Sequence, residues 1–404
     1  MINYGKRFII ALTCLLISFS VSACNKTVTP TTEKEEEINE SVEPIDYMTA
    51  DYELVELNMP DEFKVSGDYS LQKGTFDENI AYFLTIDKTV SRMSATKDMY
   101  VYHIDTEEYE KVKSYDASKG SRILDFQIID SDLYEIRFTE KEDGLIYEIV
   151  HNGEVLQQHT VLQYIFTSEF TNVNGKLQYM VASIQGEKTI LYLYELDKGK
   201  IKELFSDDIT LMDGDIKYNK WYVNTARQNS KSMISFVIND NITERLYVYD
   251  GKSVSELVVP FTEGRRIMEM VPLKDGIFFI SFIPPYPREK IKYHYYDHST
   301  KMISEVTGDT QSDRTFSGFT QISDDSFLFT SEEKRVKKHF VGTLVNNELS
   351  IRVLDKIPYE RVYSGRVSDN QSLIYSDDFY RDNDKELRRK YKLFKIVWKE
   401  KNNQ

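Results

Sequence analysis

The sequence predicts an all-β chain folded as a β-propeller of seven four-stranded blades, and three observations carry the expectation. Its 28 Tyr and 22 Phe outweigh 17 Gly and 9 Pro, a balance that suits half-buried pleated surfaces. A strand-and-turn unit, Leu246-Tyr247-Val248-Tyr249-Asp250-Gly251, recurs along the chain. Its turn residues Asp105, Asn152, Asp197, Asp250, Asp297 and Asn346 stand 47, 45, 53, 47 and 49 residues apart. A second family of turns alternates with the first: Asp77-Glu78, Asp130-Ser131, Asn174-Gly175, Asn219-Lys220, Asp275-Gly276, Asp324-Asp325 and Asp369-Asn370. Each lies between apolar alternating runs, the pattern of a hairpin. Four strands per period, without helical periodicity, describe a propeller blade.

In chain order, residues 1–23 read as an export leader. Lys6 and Arg7 precede the apolar run from Phe8 to Phe19, and Val21-Ser22-Ala23-Cys24 follows. Small residues before a cysteine resemble the lipobox of bacterial lipoproteins. The resemblance implies cleavage before Cys24, acylation of Cys24, and residence on the extracytoplasmic face of the cell membrane. An ordinary secretory leader and an uncleaved anchor are the alternatives, and the apolar run is short for a membrane span. The only cysteines are Cys14 and Cys24. After cleavage and acylation no thiol is left for a disulfide, a zinc site or a nucleophile.

Residues 24–50 read as a lipidated cysteine and a disordered acidic tether. Thr27 to Thr32 is rich in Thr and Pro, and Glu33 to Glu43 is strongly acidic. Such a segment cannot bury a core, and as a coil it spans about 28 Å.

The propeller occupies residues 51–404. Blades are expected at 68–115, 121–160, 164–206, 209–260, 265–307, 315–355 and 359–399, the last without its outermost strand. The alternating Tyr52 to Leu57 has no blade of its own, so it is expected to pair with the last blade and close the ring. An extra apolar run, Met233 to Val237, extends a strand or fills a loop in the fourth blade, and eight blades, or six, are the alternatives to seven. Ile322-Ser323-Asp324-Asp325-Ser326-Phe327-Leu328-Phe329 and Val367-Ser368-Asp369-Asn370-Gln371-Ser372-Leu373-Ile374-Tyr375 resemble the S-x-D-G-K-x-hydrophobic repeats of TolB-type propellers. Asp-Asp-Ser and Asp-Asn-Gln replace Asp-Gly-Lys here, and no TolB-like N-terminal domain precedes the ring. The resemblance implies fold and leaves function open.

In a propeller the turns of the first and third hairpins of each blade share one face, and the longer loops share the other. The longer loops are expected at Lys88 to Lys97, Gln228 to Asn241, Ile283 to Glu289, Glu332 to Lys338 and Asp378 to Lys390. They concentrate cations and aromatics: Arg92, Arg227, Lys231, Tyr286, Arg288, Lys334, Arg335, Lys337, Lys338, Tyr380, Arg381, Arg388 and Arg389, with Arg265 and Arg266 on a connection between blades. Arginine forks suit carboxylate and phosphate, and tyrosine offers a flat face to a sugar or an apolar side chain. Arg92, Arg227, Arg266, Tyr286, Arg288, Arg335, Tyr380, Arg381, Arg388 and Arg389 are therefore the candidate ligand-binding residues. The bland alternative is solvated charge, paired in part with Glu332, Glu333, Asp382 and Asp384. Pro284, Pro285 and Pro287 stiffen the loop around Tyr286, which either presents that ring or is a rigid crossover.

The net charge of −15 becomes −17 once Lys6 and Arg7 leave, which argues against a nucleic-acid partner and against adhesion to anionic lipid. His294 and His298 flank a turn with no third ligand at metal spacing. Asp382 to Glu386 lacks the glycine of a calcium loop. No nucleophile elbow and no phosphate loop occur, so no catalytic residue, metal or cofactor is assigned. A protein or cell-wall glycan partner, held by a membrane-anchored binding or scaffold module, is the leading expectation. The alternative is a propeller enzyme, a lyase, cyclase or hydrolase, acting on wall polysaccharide or peptide. Solute capture beside a transporter ranks third. An enzyme requires His, Tyr or carboxylate groups to converge, so the positions of His103, His159 and His294 discriminate.

Overall fold

The computed structural model describes residues 45–59, 69–77, 79–87, 95–116, 121–141, 144–161, 168–173, 175–208, 234–239, 244–249, 252–257, 265–283, 291–310, 315–333, 336–357, 362–368, 371–381 and 387–399. Every regular element among them is a strand. The leader, Cys24, residues 25–44 of the expected tether and the turns Asn219-Lys220, Asp250-Gly251 and Asp369-Asn370 lie outside the described residues, whereas residues 45–50, expected as tether, form a turn that buries Tyr47 and Ala50 in the core.

After β1 (Asp51–Leu57), the strands gather into antiparallel meanders in strict chain order. The first sheet holds β2 (Tyr69–Asp77), β3 (Ile80–Asp87), β4 (Ala95–His103) and β5 (Glu108–Ser114). The second holds β6 (Arg122–Ile129), β7 (Asp132–Lys141), β8 (Gly144–His151) and β9 (Glu154–Val161). The third holds β10 (Thr171–Val173), β11 (Lys176–Gln185), β12 (Lys188–Asp197) and β13 (Lys200–Asp208). A three-stranded sheet follows, with β14 (Ile234–Asn239), β15 (Glu244–Tyr249) and β16 (Val254–Leu257). Next come β17 (Arg266–Leu273), β18 (Gly276–Phe282), β19 (Lys292–Asp297) and β20 (Met302–Glu305). The short β21 (Thr307–Gly308) then runs parallel along the outer edge of the sheet formed by β22 (Thr315–Gln321), β23 (Ser326–Glu333), β24 (Val336–Val345) and β25 (Glu348–Val353). The last sheet holds β26 (Val362–Ser368), β27 (Gln371–Arg381) and β28 (Leu387–Lys399), with β1 as its fourth strand. The fold is an all-β propeller.

The middle strands bury both faces. Tyr82, Phe83 and Leu84 on β3 are all buried, as are Phe278, Phe279 and Ile280 on β18. Each sheet therefore packs against two neighbours, and a core cluster forms in each seam. The outer strands β5 and β13 carry only exposed and half-buried residues, as suits an edge facing solvent.

Closure follows the expected route. β1 pairs antiparallel with β28 from Asp51 opposite Lys399 to Leu57 opposite Leu393. Tyr47 and Tyr52 pack their rings 5.0 and 5.5 Å from Trp398. Tyr52 accepts the Lys356 N–H at 2.8 Å, and the Arg352 guanidinium donates to the carbonyls of Tyr47 and Ala50. The first described segment is thereby locked to the neighbouring sheet as well as to its own.

Several turns differ in detail from the expectation. Asn152-Gly153 and Asn346-Asn347 adopt positive φ at both positions, the geometry that matches strand twist in a two-residue hairpin. The left-handed pair after β12, however, is Lys198-Gly199 rather than Asp197. Asp297 caps its turn by accepting the N–H groups of Ser299 and Thr300 at 2.7 and 2.9 Å. In the next family the turn is Lys274-Asp275, and Gly276 already belongs to β18. Gly276 is glycine for closeness: a Cβ there would meet the Tyr296 carbonyl oxygen at 2.0 Å.

Strand reaches into three of the expected loops. The run after Met233 forms β14. β23 and β24 extend until only residues 334–335 separate them. β27 and β28 run to Arg381 and from Leu387, so most of 378–390 is ladder. Stretches that mix aromatic or apolar with charged residues, as Phe379-Tyr380-Arg381 and Leu387-Arg388-Arg389 do, are compatible with a strand, and charge alone does not mark a loop.

Candidate functional site

The second hairpin of each meander turns on the face expected to hold a ligand. In the third meander that hairpin is short, with only Gly186 and Glu187 between β11 and β12. The hairpin of β27 and β28 is different. Among the described residues, β26 pairs with β27 as far as Ser376, and β1 pairs with β28 from Leu393 onward. Five further cross-strand pairs, from Asp377 opposite Tyr391 to Arg381 opposite Leu387, extend the β27–β28 hairpin as a ribbon.

This ribbon gathers four of the predicted binding residues. Tyr380 stands directly opposite Arg388, Phe379 opposite Arg389, and Arg381 at the ribbon's end. Arg266 opens β17, opposite Phe282, on a different sheet. Arg92, Arg227, Tyr286, Arg288 and Arg335 lie outside the described residues, as does Asp382 to Glu386. Among the described residues, no group of three or more His, Cys, Asp and Glu could hold a metal ion.

The buried ionisable groups bind sheet to sheet. Asp125 follows a bulge in β6 and accepts the Phe170 N–H, at the entrance to the next sheet, at 2.8 Å. Glu269 follows the matching bulge in β17 and accepts the Gly318 N–H on β22. Burial pushes the Glu269 carboxyl up to about 7, against the smaller opposing effect of that N–H. Gly318 has φ +68 and stands within the irregularity of β22, where a side chain would strain the backbone. The two acids share a pattern that direct reading of loops and turns passed over: Arg122-Ile123-Leu124-Asp125 and Arg266-Ile267-Met268-Glu269. Their partners share another, Ser168-Glu169-Phe170-Thr171 and Ser317-Gly318-Phe319-Thr320.

A third link joins the first two sheets. Fully buried Glu135 on β7 accepts Lys113 Nζ at 2.5 Å and the Tyr115 hydroxyl. Burial, reinforced by the Glu135 charge, holds the Tyr115 hydroxyl protonated. These groups carry the chemistry of catalysts, yet each is spent on a joint.

The histidines do not converge. His103 is exposed on β4, His159 is buried on β9, and His294 is buried on β19. His294 Nε2 lies 2.7 Å from Ser281 Oγ, and Arg265 donates to the same Oγ at 3.1 Å. Burial, with Arg265 second, lowers His294 to about 4, so near neutrality the imidazole is uncharged. Such a pair resembles a nucleophile and its base. Ser281 is 0% exposed, however, and no substrate atom can reach it. Glu305 is engaged by Lys292 at 2.6 Å rather than orienting the ring. His151 stacks on Tyr134 at 4.6 Å and meets Asp132 at 3.2 Å, a rim contact in the second sheet.

No family model and no curated protein matches the sequence. Likeness is found among solved structures. Oligopeptidase B from Leishmania major aligns over 80% of this chain and 48% of its own, at 8% identity and a TM-score of 0.50. The β-propeller domain of the trilobed protease from Pyrococcus furiosus, described as an open velcro topology, aligns over 76% of this chain and 99% of its own, at 13% identity and TM-score 0.39. TolB from Acinetobacter baumannii aligns over 83% of both chains at 14% identity and TM-score 0.34. This chain spans about half the length of the whole peptidases it matches. Identities this low speak to the fold alone.

Proposed function

We propose that this chain is an extracytoplasmic lipoprotein, acylated at Cys24, whose seven sheets are the seven blades of a ring that serves as a binding or scaffold module. The partner is a protein or a cell-wall ligand, met on the face that carries the β27–β28 ribbon. The observation that supports this reading is the dispersal of His103, His159 and His294 over three sheets, with the buried acids spent on joints. A binding module needs only shape and charge on a rigid platform. The enzymatic alternative needs convergent groups open to a substrate, and Ser281 with His294 is closed.

Two measurements test it. Mass spectrometry of the mature N-terminus is expected to find an acylated cysteine at position 24, and a free N-terminus elsewhere would remove the anchor. A pull-down from native membranes with the full chain is expected to retain a discrete partner or wall fragment. Turnover of wall polysaccharide or peptide by the pure protein would move the reading to the enzyme class.

A further inference from the structure

We propose that residues 45–59 form a load-bearing strap, through which tension from the membrane anchor reaches the ring as shear along the ladder of β1 and β28. The proposal rests on the anchored-module reading and adds to it the path that force takes.

The strap is fastened to three sheets in succession. Residues 45–50 lie against the sheet of β22–β25. Arg352 donates to the Tyr47 carbonyl at 3.0 Å and to the Ala50 carbonyl, and Tyr47 packs edge-on to Trp398. The Tyr52 hydroxyl donates to Asp355 at 3.2 Å and accepts the Lys356 N–H, while Lys356 Nζ donates to the Tyr52 carbonyl at 2.9 Å. Asp51 to Leu57 then pair with β28 at every position. Beyond them, the Tyr102 hydroxyl donates to the Asn58 carbonyl at 3.0 Å, and the Asn58 N–H donates to Glu107 at 2.9 Å. Met59 joins the buried cluster of Phe83, Tyr102 and Ile104 in the first sheet. Completing the last sheet needs only the middle part, and the flanking parts tie that sheet to two others.

Register sets the direction of loading. Asp51 stands opposite Lys399 and Leu57 opposite Leu393, so the strap enters at the C-terminal end of β28. The hairpin with β27 lies at the other end of the same strand, where Leu387 stands opposite Arg381. A pull on residue 45 against a ring held at that hairpin draws β1 and β28 in opposite directions along their length. Ladder hydrogen bonds run across the strands, so this pull loads all seven pairs together. A pull against the C-terminal end of β28 instead peels the pairs apart one after another, from Asp51 onward. No disulfide ties the strap to the ring, since the only cysteines are Cys14 and Cys24.

The test pulls in optical tweezers on the chain from Cys24, produced without acylation so that its thiol carries one handle. The second handle is either Lys390→Cys, toward the hairpin, or a cysteine added after Gln404. Strap release is recognised by the extension of residues 45–59 leaving a ring that stays folded. From the Lys390→Cys arm, strap release or unfolding of the sheets is expected only at about twofold or more of the force that releases the strap from the C-terminal arm. Arg352→Gln is expected to lower the force in the C-terminal arm, where its clamp on residues 47 and 50 is the main resistance. Arg381→Cys replaces Lys390→Cys if that variant lowers Tm. Equal forces in the two arms, or an unchanged C-terminal-arm force in Arg352→Gln, would overturn the proposal. Mass spectrometry of the mature N-terminus separates the two readings. An unacylated chain removes the anchor and with it the load, whereas equal forces remove the strap and leave the anchored module standing.

Discussion

Two seams of the ring are built on one template with different chemistry. In the seam between β6–β9 and β10–β13, Tyr179 stands opposite Tyr194, with Tyr134, Tyr147 and Phe170 in the same buried cluster. In the seam between β17–β20 and β22–β25, Phe329 stands opposite Phe340, with Phe278 and Phe327 in the cluster and Phe319 against it. Counted from the turns, Tyr134 corresponds to Phe278 and Tyr179 to Phe329; their cross-strand partners Tyr194 and Phe340 correspond in turn, and Phe170 and Phe319 hold the same place in the two Ser-x-Phe-Thr stretches. The hydroxyls make the difference. Tyr179 donates to Gln157 at 2.5 Å, while the fully buried Tyr147 hydroxyl has no partner, nor has Gln127. The Phe seam stacks cleanly, with Phe329 and Phe340 5.2 Å apart and 13° from parallel. One seam thus combines burial with costly polar groups, and the other is mostly apolar, with Tyr293 in its cluster, Tyr295 against it and Glu269 beside it.

Truncation in the Phe seam should have the largest effect. Phe329→Ala removes a ring packed on Phe319, Phe327 and Phe340 and is expected to cost about 3–5 kcal/mol in denaturant unfolding. A cost near that of an exposed site would mean that the seam is not a packed joint.

The pH response of Glu269 should come next. Its folded pKa of about 7 lies above the ordinary 4.5, so the folded protein favours the protonated acid. Its stabilising contribution is full below the unfolded value and is lost as pH rises through 7, roughly 3 kcal/mol over the window. On the described strands packed beside it, β18 and β22 carry no charged residue; Arg265, Glu305 and His294 belong to the outer end of the sheet, and Lys274 with Asp324 to the turn. Wild type is expected to lose Tm between pH 5 and 8.5, and Glu269→Gln should flatten that slope. Parallel curves would remove Glu269 from the account.

Exchanging the chemistry of the seams should have smaller and opposite effects. Phe340→Tyr carries a hydroxyl into the apolar seam and is expected to cost about 1–3 kcal/mol. Tyr147→Phe removes a hydroxyl with no partner and is expected to gain about 1 kcal/mol. Equal effects of one sign would show that the seams do not differ as their aromatics indicate.

The meander order was legible because turn chemistry is local. Asn152-Gly153 and Asn346-Asn347 bend the chain wherever they stand, and the runs between them alternate. The closing role of Tyr52 to Leu57 was also legible, since an alternating run without a blade needs a partner. The ribbon was read as a loop because Arg388 and Arg389 suggest solvent, and exposed strands are as polar as loops. Glu269, Asp125 and Glu135 were missed for another reason. A carboxylate in a strand has no local signature of burial, and only the neighbouring sheet decides whether it is solvated or clamped.

From the chain alone came the strands, the turns, their period and the acidic strand that completes the last sheet, because these depend on residues within a few positions of one another. The tertiary structure decided which polar groups are sealed into seams and how far the β27–β28 ladder runs. Burial and strand coverage depend on residues far away in sequence, and no local pattern encodes them.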